Sequence, residues 1–192
     1  MAGSPRRHGN TETLLDEAVR GVEDAGCRVV RENLSAIRIN PCRGCDACFK
    51  DGSCVQRDEM QDVYPHLVRA AGVMLAAPIF SMNINAQSKA MIDRCQSFWA
   101  MRYVLRREVV GPERRAARKG MFFSVCGRED PRIFDCTVPT ISYFFHIIGV
   151  GRWDRLNYAG IDAKGAIREH PEALNEAYRA GRELAQELVK SS

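Results

Sequence analysis

The chain has 192 residues, a net charge of +4, and apolar and charged fractions of 45% and 27%. These values describe one globular domain with a substantial core and exclude a disordered or fibrous chain. Its arginines are scattered, the densest groups being Arg6-Arg7, Arg106-Arg107 and Arg114-Arg115 with Arg118-Lys119. No aromatic interleaving or recognition-helix pattern accompanies them, so no nucleic acid is expected as a partner. The longest apolar run, Val73 to Phe80, contains Pro78 and is too short to cross a bilayer. With nothing at the N-terminus resembling a secretory leader, no membrane partner and a cytoplasmic location are expected.

The chain begins with a glycine-containing loop, after which Thr11 to Ala25 places Leu14, Leu15, Ala18, Val19, Val22 and Ala25 on one helical face, stopped by Gly26. Cys27 to Leu34 alternates like a strand around Val29-Val30 and leads into a cysteine-rich loop at 41–55. A second helix opens at Asp58 or Glu59 and runs through Val63, Leu67, Val68 and Ala71 into an apolar strand, Gly72 to Ala77. A third helix, from about Asn85 to Met101, turns Ala86, Ala90, Met91, Cys95 and Phe98 inward. A polar connection follows, then a strand from Gly120 to Val125, a helix from Val138 to Ile148, and a strand from Asp154 to Gly160. The closing helix, His170 to Val189, has Pro171 in its first turn. This alternation predicts one α/β domain over 1–192, a doubly wound parallel sheet covered on both faces.

The opening loop, Gly3-Ser4-Pro5-Arg6-Arg7-His8-Gly9-Asn10-Thr11, feeds directly into the first helix. Glycines and small polar residues at a helix start leave backbone N–H groups free for an anion, although an ordinary capped turn uses the same residues. Ser4, Asn10 and Thr11 offer hydrogen bonds, and Arg6 or Arg7 offers charge. The loop lacks both the Gly-x-x-x-x-Gly-Lys pattern of nucleoside triphosphatases and the Gly-x-Gly-x-x-Gly of dinucleotide folds, which leaves a mononucleotide phosphate as the expected ligand. In doubly wound sheets such a loop follows the first strand, yet only Met1 and Ala2 precede Gly3. The first central strand is truncated. Two expectations follow: a true start about ten residues upstream, the length of a strand and its lead-in, or a shortened form with a weakened sheet.

Cys42, Cys45, Cys48 and Cys54 stand in C-x2-C-x2-C-x5-C spacing. Tight turns at Gly44 and Gly52 let such sulfurs converge on an iron-sulfur cluster. Three alternatives stay open: zinc, whose paired ligands are usually farther apart in sequence; disulfides, which close C-x2-C pairs only with strain; and thiols that hold no metal.

With these pieces in place the chain resembles the NADPH-dependent FMN reductase family of flavodoxin-like proteins, and within it the iron-sulfur flavoproteins. The resemblance is carried by Gly3-Ser4-Pro5-Arg6 with Gly9-Asn10-Thr11, the four-cysteine loop, Ala76-Ala77-Pro78-Ile79-Phe80, Ala86-Gln87-x-Lys89 leading to Asp93-Arg94, and Gly160-Ile161-Asp162-x-x-Gly165. It implies a flavodoxin-like fold in which Ser4, Arg6, Asn10 and Thr11 hold the FMN phosphate. Pro78, Ile79, Phe80 and Asn83 would line the isoalloxazine, and Val125, Cys126 and Gly127 would approach its other edge. Cys42, Cys45, Cys48 and Cys54 would ligate a [4Fe-4S] cluster. It further implies a homodimer or dimer of dimers, with a neighbouring subunit's cysteine loop near the flavin.

The function expected is an FMN-dependent oxidoreductase moving electrons between NAD(P)H or ferredoxin and a small acceptor such as a quinone, flavin, nitro compound or oxygen species. The alternatives are an electron carrier between protein partners, a metal-free NAD(P)H:FMN reductase, and a redox-sensing or zinc-binding protein. No nicotinamide-site motif is present, and no catalytic side chain is assigned. Cys27, Cys95 and Cys136 read as small buried hydrophobes, whereas Cys126 falls in the expected flavin loop. His146 reads as a packing or capping residue, and Lys89, Asp93 and Arg94 as local ion-pairing residues on one helix. Phe98, Trp99 and Tyr103 read as a dimer face.

Overall fold

The computed structural model describes residues 1–190; the last two residues of the expected domain lie outside the described residues. Along the chain come α1 (Asn10–Asp24), α2 (Met60–Arg69), strand β1 (Gly72–Ala76) and a hairpin of β2 (Ile79–Phe80) and β3 (Asn83–Ile84). There follow α3 (Ala86–Arg94), α4 (Gln96–Trp99), α5 (Pro112–Ala117), β4 (Lys119–Val125), α6 (Val138–Ile147), β5 (Arg152–Tyr158) and α7 (Pro171–Lys190). Strands β1, β4 and β5 form a parallel sheet in the order β1-β4-β5.

The period of two in a strand sends neighbouring side chains to opposite faces. Leu75 and Phe122 pack with Met60, Val63, Leu67, Phe144 and Phe145 beneath α2 and α6. Ala76 and Phe123 join Leu14, Leu15, Ala18, Ala173 and Ala177 beneath α1 and α7. The two helices of that second layer touch backbone to backbone. A Cβ on Gly181 would lie 1.9 Å from the Ala18 carbonyl oxygen, and one on Gly21 would lie 2.1 Å from that of Tyr178. Only glycine permits this approach at either position.

Arg118 ties the other layer together. Its side chain is fully buried and donates from Nη1 to the Ile148 carbonyl and from Nη2 to the Leu67 carbonyl at 2.5 Å, at the C-terminal ends of α6 and α2. Such carbonyls lack helical partners and carry the negative end of the helix dipole. Burial, with Arg114 nearby, lowers the Arg118 pKa to about 10.

Three expectations are corrected. The strand expected at Cys27 to Leu34 is absent: this segment is extended but joins the sheet only through a bridge between Asn33 and Ala2. The alternating sequence is present, but the neighbour that would turn it into a strand is only a stub. Ala2 bridges in parallel to both Asn33 and Ala76, placing Met1–Gly3 between Cys27–Leu34 and β1 where the central strand belongs. Second, the third helix is not continuous to Met101. It breaks at Cys95, restarts as α4 and finishes in a π-helical turn at Ala100–Val104. Met91, Cys95 and Phe98 are buried, but Ala86 is exposed. Third, Cys27 and Cys136 are only partly buried, because Cys27 lies on the open edge and Cys136 lies in the 3-10 turn Pro131–Thr137.

Candidate functional site

Four segments leave the C-terminal ends of the parallel strands and meet. They are Gly3–Gly9 after the stub, Pro78–Phe80 after β1, Val125–Gly127 at the end of β4, and Ile161–Lys164 after β5. They enclose an open cleft of about 480 Å³ lined by Ser4, Arg6, Gly9, Asn10, Thr11, Pro78, Ile79, Phe80, Val125, Cys126, Gly127, Ile161, Asp162 and Lys164. Open α/β sheets bind ligands at this edge, where the strand order reverses. Here the reversal lies between the stub and β1, because the chain first moves outward to Cys27–Leu34 and then crosses back.

The helix end of the cleft is built for an anion. Gly9 is the N-cap of α1 and supplies no side-chain cap, so the first-turn N–H groups have no side-chain acceptor there. Ser4 is buried and folds the loop back by accepting from the Arg6 N–H at 3.2 Å. Arg6 Nη1 donates to the Asp162 carbonyl at 3.4 Å, and Lys164 adds a second cation to the lining. The Asn10 carboxamide is occupied otherwise than expected. Its Nδ2 donates to the Ile161 and Ala163 carbonyls at 3.3 and 3.0 Å, and its Oδ1 accepts from the Ile167 N–H at 3.3 Å. Asn10 therefore fixes the loop after β5 onto the start of α1, and what it presents to an anion is its backbone N–H.

The other end is apolar, with Pro78, Ile79, Phe80 and Val125. A Cβ on Gly127 would come within 2.7 Å of Asp162 Cβ, so glycine there lets the β4 and β5 loops close against one another. Asn83 is not brought into this cleft. It sits in the β2–β3 hairpin opposite Phe80, and its Oδ1 accepts from the Ile84 N–H at 2.8 Å. Gly9, Ile161, Asp162 and Lys164 line the cleft without having been singled out as site residues. The signal for three of them was the Ile161-Asp162-x-Lys164 segment directly after a strand. A cationic, uncapped helix end beside an apolar wall fits a ligand with an anionic group at one end and a flat ring at the other, as FMN has.

The cysteine loop is closed at its base by one buried network. Arg94 Nη1 donates to the Asn40 carbonyl at 2.9 Å and to Asp58 Oδ2 at 2.6 Å, and the same Asp58 oxygen accepts from the Asn40 backbone N–H at 2.9 Å. Both side chains are fully buried. Burial opposes both charges, yet their mutual hydrogen bond prevails: the Arg94 pKa is raised and that of Asp58 lowered. Arg94 is thus a cross-loop clamp and not a partner of its own helix, where Lys89 and Asp93 do pair at 2.6 Å. Above the clamp, Gln56 Nε2 donates to the Pro41 carbonyl at 3.0 Å and Gln61 Nε2 to that of Cys54 at 3.2 Å. Phe49 packs on Trp99 with ring centroids 5.8 Å apart, and Trp99 on Tyr103 at 5.7 Å. Phe98 lies in the core and is not on a surface face.

Within the loop, Cys48 is buried in the 3-10 turn Ala47–Phe49, Cys45 is exposed, and Cys42 and Cys54 are half-buried; all four thiols are free. Burial pushes the Cys48 thiol pKa up, and the nearby sulfurs of Cys54, Cys42 and Cys45 push it further. No three His, Cys, Asp or Glu side chains among the described residues are spaced to grip a single metal ion. Cys48 lies near enough to feel the other three sulfurs, and thiolates are the ligands that an iron-sulfur cluster takes.

His146 is a bridge. Its Nδ1 lies 3.3 Å from Arg115 Nη2 and its Nε2 lies 2.8 Å from the Tyr103 hydroxyl. Arginine can only donate, so Nδ1 accepts and the ring is the neutral Nε2–H form. Burial, then Arg102 and Arg115, lowers its pKa, which agrees.

Similarity to known proteins follows the same division. An iron-sulfur flavoprotein of Archaeoglobus fulgidus is 40% identical over 94 residues, covering 49% of this chain and 43% of that protein. A second from the same organism is 36% identical over 111 residues, covering 58% and 56%. The chain spans about half the length of the curated relatives it matches. Among solved structures, an NAD(P)H:quinone oxidoreductase from Methanothermobacter marburgensis superposes with a TM-score of 0.75 at 16% identity, covering 95% of this chain and 92% of that one. An FMN-dependent NADH-azoreductase from Bacillus anthracis superposes with a TM-score of 0.62 at 13% identity, covering 97% and 96%. These likenesses show the fold, which is flavodoxin-like. The sequence profile of NADPH-dependent FMN reductase matches residues 1–128, taking in the opening loop, the cysteine loop, β1 and β4, and the chain belongs to the NADPH-dependent FMN reductase family.

Proposed function

We propose that the protein is an FMN-dependent oxidoreductase that passes electrons between NAD(P)H or ferredoxin and a small acceptor, and that Cys42, Cys45, Cys48 and Cys54 carry a [4Fe-4S] cluster. The observation that carries this reading is the meeting of the cationic α1 N-terminus with the apolar Ile79–Phe80 wall in one cleft. The names of the iron-sulfur flavoproteins support the cluster. When bound, FMN supplies hydride acceptance with release of electrons in pairs or singly, and a cluster supplies one-electron storage. The chain's own part is to neutralise the phosphate with Arg6 and Lys164, to hold the ring against Ile79 and Phe80, and to keep the loops closed through Asn10 and Gly127.

The exposed Cys45 supports a second reading, an electron relay between protein partners, because it opens the cysteine loop to a docking protein. A homodimer or dimer of dimers and a cytoplasmic location belong to the proposal. No described helix is long and apolar enough to cross a membrane.

Anaerobic purification with flavin and iron analysis tests the assignment. About one FMN and four irons per chain are expected, with steady NAD(P)H turnover in the presence of a quinone or nitro compound. FMN without iron would leave a plain NAD(P)H:acceptor reductase. Electron exchange with a protein donor alone would select the relay.

A further inference from the structure

The loop that opens the cleft is held in shape from behind. Within it the Arg6 N–H is taken by Ser4 Oγ at 3.2 Å and the Gly9 N–H by the Arg6 carbonyl at 3.0 Å. His8, between them, is left-handed at φ 55°. A residue with a side chain keeps that conformation only where its surroundings enforce it, and such residues gather at ligand clamps. Here the enforcing contact is the buried Glu12 carboxylate, whose Oε2 accepts from the His8 N–H. Glu12 stands at the third position of α1, as in a capping box, but reaches one residue beyond the Gly9 N-cap.

This contact brings a negative charge to the cationic end of the cleft. The Asn10, Thr11 and Glu12 N–H groups, in the first turn of α1, have no backbone acceptor among the described residues. An anion meeting them lies within a helical turn of the Glu12 carboxylate, which repels it. Arg31, on the extended segment Cys27–Leu34, answers that charge. Its Nη2 donates to Glu12 Oε1 at 3.3 Å, and its Nη1 pairs with Asp16 on the next turn of α1.

We infer that Glu12 and Arg31 are a positioning pair for the phosphate loop. Glu12 fixes His8 so that the loop is set before a ligand arrives, and Arg31 cancels the charge that Glu12 brings to an anion site. Neither side chain lines the cleft, so both act through the loop. A loop ordered in advance lowers the entropic cost of binding. This role rests on FMN being the ligand of the cleft.

The test compares FMN with riboflavin, which lacks the phosphate, by flavin fluorescence on the full chain freed of flavin. The ratio of the two affinities cancels any general loss of folding. Glu12→Ala should lower FMN affinity about tenfold and riboflavin affinity less than about twofold, the effect of losing one hydrogen bond to a charged group. Glu12→Gln keeps an acceptor for His8 and should hold FMN affinity within about twofold. Arg31→Met strands the carboxylate and should cost FMN about tenfold at low salt and less at high salt; adding Glu12→Gln should restore it. In the flavin-free protein the His8 amide should exchange about tenfold faster in Glu12→Ala but not in Glu12→Gln. An unchanged ratio or unchanged His8 exchange in Glu12→Ala overturns the pair, as does equal loss in Arg31→Met with and without Glu12→Gln. No preference for FMN over riboflavin in the unaltered protein overturns the phosphate reading itself, and the pair's role with it.

Discussion

Arg94 on α3 and Asp58, at the end of the cysteine loop, form a fully buried ion pair 2.6 Å long, and through the Asn40 carbonyl the same guanidinium holds the loop's other end. Removing one member of a buried pair strands the other charge, which costs about 3–5 kcal/mol. Arg94→Gln should therefore lower stability by that amount in urea unfolding. It should also speed modification of Cys42 and Cys54 by a thiol reagent roughly tenfold, as the loop opens locally. A double replacement by apolar residues, Arg94→Met with Asp58→Leu, should recover much of the stability without restoring the loop's protection.

In a chain whose first nitrogen is that of Met1, stability should depend on pH between 8 and 5. The amine's folded pKa is lowered from 8.0 to about 5, first by burial and then by Arg31, against Glu32. The unfolded amine thus binds its proton at a higher pH than the folded one. Stability is full above pH 8 and falls with pH to about 5, by about 4 kcal/mol for a shift of this size. Nearby, His66 is paired with Glu32 at 2.5 Å, and Arg31 with Asp16 and Glu12. The check is urea unfolding at several pH values. Peptide-bonding the nitrogen to an upstream residue should remove most of the slope, while His66→Gln should leave it.

The β2–β3 turn is made by Ser81 and Met82, both left-handed at φ 48° and 65°. Each such non-glycine residue costs about 1 kcal/mol, and a two-residue hairpin prefers Asn-Gly. Ser81→Asn with Met82→Gly should raise stability by about 1–2 kcal/mol, read as a higher thermal midpoint. Because Phe80 lines the cleft, flavin affinity should hold or improve.

Asn10→Ala should loosen the loop after β5 from the start of α1 by removing the bonds to Ile161, Ala163 and Ile167. FMN affinity, read by quenching of flavin fluorescence, should fall about tenfold, equivalent to about 1.4 kcal/mol. Arg6→Ala should weaken FMN more at low salt than at high, since its contribution is a screened charge. Equal losses at both salt concentrations would place Arg6 outside the phosphate site.

Much of this was legible in the sequence because it is local. The helical periodicity of Leu14, Leu15 and Ala18, the apolar β1 and β4 strands, and the small polar residues opening α1 need only their neighbours to be read. The same holds for the loops that line the cleft: residues that follow strands in a doubly wound sheet must gather at one edge. Cys27–Leu34 shows the limit, since its alternation is that of a strand but a strand requires a hydrogen-bonded neighbour, and only the stub at Met1–Gly3 stands beside it.

By itself the sequence determined the α/β class, the position of the small-residue loop that opens α1 and the four-cysteine spacing, all set by backbone propensity and side-chain type within a few residues. Only the tertiary structure decided that Arg94 closes the cysteine loop and does not serve its own helix. It likewise decided that Asn10 locks a loop more than 150 positions away. Each of these depends on partners distant in sequence, and the hydrogen bonds and buried charges that choose among them exist only once the two helical layers close on the sheet.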